Sequence, residues 1–178
     1  METERKVVLY IASSLDGYIA RDNGDIDWLS AVQIPGEDYG YTEFIKSVDT
    51  VIMGRKTYEK VLSFAIEFPH RDKKCYVLTR SARAQDEHVE FYTGDISSLV
   101  DDLRRKRGGN IFVDGGAEIV HEFMLRDLID RFVISVVPVL LGSGIRLFRE
   151  GWKEKKLVLR DSRSFPSGLV QSTYERAQ

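Results

Sequence analysis

The residues of this 178-residue chain best placed to do chemistry gather at two glycine junctions. The first is Val51-Ile52-Met53-Gly54-Arg55-Lys56-Thr57-Tyr58-Glu59 and the second is Ile111-Phe112-Val113-Asp114-Gly115-Gly116-Ala117-Glu118-Ile119. Each opens as a short apolar run that reads as a buried strand, reaches glycine where the chain must turn, and resumes with helical spacing. A helix that starts just past a parallel strand offers unpaired backbone N–H groups and a positive dipole end. At the first junction Gly54 lets the backbone approach a phosphate, Thr57 can donate a hydroxyl, and Arg55 and Lys56 supply charge. At the second, Gly115, Gly116 and Ala117 lie between Asp114 and Glu118, so an anion would be held there by backbone N–H groups. Two such junctions suggest a ligand with two or more phosphates, such as a dinucleotide. A plain helix start with Thr57 near its cap, and a tight turn at the paired glycines, account for the same residues.

Thr79-Arg80-Ser81 closes another apolar run and groups two hydroxyls with a guanidinium. That set suits a sugar-bound phosphate such as the 2′-phosphate of NADPH, although a polar loop leaving a sheet has the same composition. Pro138 to Gly144 follows a further apolar run, and its glycines point to a bend or mobile loop with a structural use.

Other chemistries fail on inventory. His70, His88 and His121 stand in unrelated contexts, and Cys75 is the only cysteine, which excludes a disulfide framework and a multi-cysteine zinc site; no metal is expected. Gly142-Ser143-Gly144 lacks the spacing of a hydrolase elbow. There is no Walker A lysine motif, no Gly-x-Gly-x-x-Gly opening a helix, and no His-x-Glu with Pro-Cys-x-x-Cys of a deaminase. Lys plus Arg number 26 against 28 Asp plus Glu, a formal charge of −2, so no global field invites nucleic acid. The first six residues are too polar for a signal sequence and no apolar run could cross a bilayer, so a cytoplasmic protein without a membrane partner is expected.

The elements that must position these residues alternate early and change character at the end. Val7 to Ala12 reads as a central strand buried on both faces, followed by a turn at Ser13 to Gly17 and a short apolar stretch at 18–20. Residues 21–40 read as a long loop interrupted near Trp28-Leu29, a length usually tied to function or disorder. Helices are expected near 39–47, 56–64, 97–107 and from Ala117 to about Arg126, with strands at 49–53, 74–79, 89–92 and 131–139. Leu157–Arg160 and Leu169–Tyr174 flank Phe165-Pro166-Ser167-Gly168 as an antiparallel hairpin. No repeat or linker interrupts the chain, so one domain spanning 1–178 is expected.

Taken in order, Ser14 to Ala20, Val51 to Glu59, Val113 to Ala117, and Pro138 to Gly144 with Leu147-Phe148 resemble the dihydrofolate reductase superfamily. The resemblance is closest to the reductase domain at the C-terminus of RibD. It implies a three-layer α/β/α fold with a mixed, mostly parallel sheet ending in an antiparallel hairpin, and NADPH across the carboxyl ends of the strands. Gly54, Arg55, Lys56 and Thr57 would then hold the cofactor phosphates, with Thr79, Arg80 and Ser81 around the 2′-phosphate. Gly115, Gly116 and Ala117 would face the diphosphate and nicotinamide side, and Ala12, Ile19 and the Asn23-Gly24 loop would line the nicotinamide pocket. The implied reaction is hydride transfer to a pyrimidine- or pterin-like heterocycle, with 5-amino-6-(5-phosphoribosylamino)uracil of riboflavin synthesis as one candidate. Dihydrofolate reductase and a non-catalytic nucleotide-binding module are the alternatives. Counting back from Met53-Gly54 makes Asp38 the carboxylate that assists substrate protonation, with Asp27 beside Trp28 in competition. The family often forms homodimers through edge elements.

Overall fold

A computed structural model describes residues 5–64, 66–81, 83–84 and 86–177, so Met1–Glu4 of the polar N-terminal segment lie outside it. One eight-stranded sheet organises them, in the order β5-β4-β3-β6-β1-β7-β10-β9. Its central strands are β1 (Val7–Ser14), β3 (Val48–Gly54), β4 (Lys74–Leu78), β6 (Asn110–Gly115) and β7 (Arg131–Val137), with β5 (Glu90–Tyr92) outside β4. All pair in parallel, and this is why their sequences are nearly continuous apolar runs: helices cover both faces. β9 (Leu157–Ser164) and β10 (Val170–Arg176) add the antiparallel hairpin, which joins the sheet through β10 and β7.

Side chains sort by strand parity. Val7, Leu9, Ile111 and Val113 face α3 (Ile96–Arg104) and α4 (Ala117–Leu125), whose Leu99, Val100, Val120 and Phe123 complete that core. Val51, Met53, Cys75 and Phe112 face the other way, toward α1 (Tyr41–Lys46) and α2 (Arg55–Ser63). The mixed, mostly parallel sheet and terminal hairpin expected from the sequence are therefore present.

Boundaries differ where one local group intervenes. β7 stops at Val137 rather than 139 because Pro138 has no N–H to continue the ladder; Val139 N–H instead turns back to the Val137 carbonyl at 2.8 Å. The helix expected at 39–47 starts only at Tyr41, after Tyr39 and Gly40 at φ 56° and 83°. A pairing not anticipated joins β2 (Tyr18–Ala20) to β8 (Ile145–Arg146), too short to show alternation in sequence.

The Ser14–Gly17 turn now has a physical cause. Asp16 accepts from the Ser14 hydroxyl at 2.6 Å and from the N–H groups of Leu141 and Gly142 at 3.1 and 2.7 Å. These bonds, led by Ser14, pull its pKa down to about 2, so the carboxylate is an ionised peg holding the 138–144 loop. At the opposite end of the strands the buried Arg5 donates to the carbonyls of Gly109 and Leu103 at 2.8 and 3.0 Å and is ion-paired with Asp49.

Candidate active site

The two glycine junctions meet in space because β3 and β6 are neighbours. Gly54 has an ordinary φ of −82°, but a Cβ there would lie 2.8 Å from Ile119 Cγ1 on α4. Gly116 has φ 80° and ψ 129°, and a Cβ there would lie 2.9 Å from Thr57 Oγ1 on α2. Each glycine is thus needed for a different reason: close approach at Gly54, and backbone conformation plus close approach at Gly116. The outcome is that the N-termini of α2 and α4 come together.

Neither helix has a side-chain cap, so their leading N–H groups are left for solvent or a ligand. Basic side chains surround them. Lys56 Nζ donates to Glu118 Oε1 at 3.1 Å, and Arg149 stands 4.0 Å from the same oxygen. The Lys56 bond first, then the charges of Lys56, Arg149 and Arg80, hold the Glu118 carboxyl below its usual range. Arg55 donates to Glu59 at 3.0 Å, one turn on. Thr79 and Ser81 fold into a small turn, the Ser81 N–H donating to Thr79 Oγ1 at 3.4 Å. The residues singled out at 54–57, 79–81 and 115–117 therefore line the carboxyl ends of β3, β4 and β6. They fit a phosphate-bearing nucleotide: uncapped amides, exchangeable cations, and glycines where side chains would fill the cradle.

Beside this cradle lies a cavity of about 630 Å³ between β1, β7 and the 29–39 segment. β1 lines the cavity through Tyr10 and Ala12 and pairs in parallel with β6, so the cavity and the paired glycines lie at the same carboxyl end of neighbouring strands. Its walls are largely apolar, from Leu29, Val32, Val137 and Leu169, while Tyr10 and Ser135 form a polar floor. Tyr10 donates its hydroxyl proton to the Tyr39 carbonyl at 2.8 Å, and burial raises its pKa, so it stays neutral.

The two candidate carboxylates part company here. Asp38 lines the cavity, yet it also starts α1, accepting from the N–H groups of Gly40 and Thr42, each at 2.9 Å. Hydrogen bonds from Thr42, then Gly40, lower its pKa, so it is an anion and not a stored proton. Asp27 does not join the cavity lining; it pairs with Arg21 at 2.7 Å, and that bond lowers its pKa in turn. Ile19 packs against the α3/α4 core rather than the cavity. Asn23 and Gly24 form an exposed turn in which Asn23 bonds to Asp25, and Asp25 reaches Lys60 of α2 at 3.4 Å.

Several residues at the site went unmentioned in the sequence. Tyr10 and Ser135 are isolated polar positions in apolar strands, a signal that was available. Gln171 and Tyr39 offered none, since their roles arise from contacts across 36 to 161 positions of chain. His70, set aside in the sequence as standing in an unrelated context, is buried and lies 3.2 Å from Asp114, the residue preceding the paired glycines.

Comparison with known proteins places this geometry. A family model, the RibD C-terminal domain, matches residues 5–171. The chain belongs to the RibD C-terminal domain family. It is 50% identical to the uncharacterized protein YwjB of Bacillus subtilis over 175 residues, 98% of this chain and 99% of that one. Among solved structures, a Shewanella protein provisionally assigned to riboflavin biosynthesis superposes with a TM-score of 0.90 at 34% identity, covering 97% of this chain and 99% of the other. Dihydrofolate reductase from Enterococcus faecalis, solved with NADP(H), shares the fold with a TM-score of 0.65 at 16% identity and 97% coverage of both chains. Within this reductase-like family the expected dihydrofolate-reductase-like fold is therefore the observed one.

Proposed function

We propose that the protein is an NADPH-dependent reductase whose substrate is a pyrimidine- or pterin-like heterocycle. The observation that carries this reading is the adjacency of two uncapped helix starts, ringed by cations, to a mostly apolar cavity with a polar floor. When bound, the nicotinamide would supply the hydride. The chain's own residues hold the phosphates, orient the ring against the cavity and exclude water.

Amides at Arg55–Thr57 and Ala117–Ile119 would take the diphosphate, with Arg80 and Arg55 toward the 2′-phosphate. The present partners of the basic residues do not oppose this. The Lys56–Glu118 and Arg55–Glu59 pairs are exposed on both sides, and exposed pairs are worth only about 0–1 kcal/mol. A phosphate can therefore displace the glutamates. Asp38 would act as a fixed anion at the cavity rim, accepting an N–H of the heterocycle and favouring its protonated form; its lowered pKa excludes it as a proton donor near neutral pH.

The test is binding and turnover on the intact protein. Saturable NADPH binding, with oxidation driven by the ribosylaminopyrimidine phosphate rather than by dihydrofolate, supports the proposal. Preference for dihydrofolate would make the protein a dihydrofolate reductase. NADPH binding without turnover on either substrate would leave a nucleotide-binding module.

A further inference from the structure

The floor of the cavity contains a hydrogen-bond chain whose direction can be worked out. Gln171 Nε2 lies 3.1 Å from the Tyr39 carbonyl, 3.0 Å from the Tyr10 hydroxyl and 3.0 Å from Ser135 Oγ. The Tyr39 carbonyl can only accept, so the amide nitrogen, and not the amide oxygen, must face this cluster. Tyr10 spends its proton on the same carbonyl and therefore receives from Gln171. Gln171 has two amide hydrogens for these three oxygens, and because an amide nitrogen accepts no hydrogen bond, Ser135 Oγ can only receive at that contact. That leaves the Ser135 proton, and among the described residues no acceptor lies within reach of it.

Ser135 is 5% exposed and lines the cavity. It is held there by pairing on both sides, with Ala12 of β1 and Gln171 of β10. A buried hydroxyl that accepts one bond and cannot place its own proton is costly, by the same reasoning that makes buried polar groups find partners. A ligand in the cavity can supply the missing acceptor.

We propose that Ser135 is a specificity-determining donor, aimed by Gln171, which selects heterocycles presenting a carbonyl oxygen to the cavity floor and rejects those with an amino group there. This rests on the cavity being the substrate site of the proposed reductase. An amino group in that place offers hydrogens and no comparable acceptor, so the Ser135 proton would stay unplaced. Gln171 is a positioning residue: it touches no ligand in this scheme, but it decides which way the Ser135 proton points.

Two probes separate the cases: diaminouracil, which carries ring carbonyls, and diaminopyrimidine, in which amino groups replace them. Their dissociation constants would be measured by calorimetry on the NADPH-loaded protein for wild type, Ser135→Ala, Ser135→Thr and Gln171→Glu. Wild type should prefer diaminouracil. Ser135→Ala should weaken diaminouracil by about 3- to 10-fold, the loss of one hydrogen bond, while leaving diaminopyrimidine and NADPH affinity within about twofold. Ser135→Thr, which keeps the hydroxyl, should restore the preference. In Gln171→Glu the carboxylate accepts the Ser135 proton, so the preference should fall although Ser135 is intact. Equal diaminouracil affinity in wild type and Ser135→Ala overturns the assignment and leaves the reductase reading standing. Failure of wild type to bind either probe overturns both.

Discussion

The two glycine junctions should respond to alanine in different ways. At Gly116 the backbone sits at φ 80° and ψ 129°, and an added Cβ would lie 2.9 Å from Thr57 Oγ1. Holding a non-glycine residue in so sparsely populated a conformation costs about 1–3 kcal/mol. Turning Thr57 off its rotamer to make room adds about 0.5–1.5 kcal/mol. Gly116→Ala should therefore lose about 2–4 kcal/mol out of a total of about 5–15 kcal/mol, lowering Tm by roughly 5–15 °C. Urea unfolding of Gly116→Ala, Thr57→Ala and the double variant forms a cycle, and Thr57→Ala should give back only the contact part, about 0.5–1.5 kcal/mol. At Gly54, φ is −82° and the only obstacle is Ile119 Cγ1 at 2.8 Å, so Ile119→Ala should rescue Gly54→Ala almost fully once its own cost is subtracted. The reasoning is refuted if Gly116→Ala stays within about 0.5 kcal/mol of wild type, the range of an ordinary surface change. It is refuted equally if Thr57→Ala rescues it completely.

Arg55→Ala combined with Arg80→Ala should weaken NADPH by about 10- to 100-fold more than NADH, from one or two charge-assisted hydrogen bonds of about 1.5–3 kcal/mol less the glutamate pairings they replace; fluorescence titration with equal losses for both cofactors would remove the 2′-phosphate assignment. Asp38→Asn should lower turnover without shifting NADPH affinity, and an unchanged rate on every heterocycle tested would take Asp38 out of the reaction. Asp16 titrates lower in the folded protein, about 2 against 3.8, so its contribution is complete above about pH 4 and is lost as pH falls toward 2. Asp16→Asn should accordingly reduce stability at neutral pH and flatten the acid limb of the unfolding curve, whereas parallel curves would show the peg to be dispensable. Arg5→Met should cost about 2–4 kcal/mol in urea, since it strips donors from two carbonyls and takes the guanidinium away from Asp49; NADPH affinity should hold because Arg5 lies at the amino end of the strands, far from the cradle.

Period and punctuation made most of the fold legible. Continuous apolar runs such as Val51 to Met53 and Ile111 to Val113 read as strands covered on both faces, and the glycine that follows each marks a turn into a helix. These are local properties, set by side-chain volume and backbone freedom over a few residues. Asp38 was reachable by counting, but its burden as the start of α1 was not, because that depends on how Tyr39 and Gly40 bend the chain.

What the chain determines by itself is the set of elements, their order, and the chemistry each junction can offer: amides, glycines and cations for phosphate. Tertiary structure alone decided which groups share a surface. Parallel pairing of β3 with β6 brought Gly116 against Thr57, and pairing of β7 with β1 and β10 put Ser135 between Ala12 and Gln171. The reason is range: a strand or a turn is fixed by neighbours a few residues away, whereas the direction of one hydroxyl proton is fixed by partners 36 to 161 residues distant.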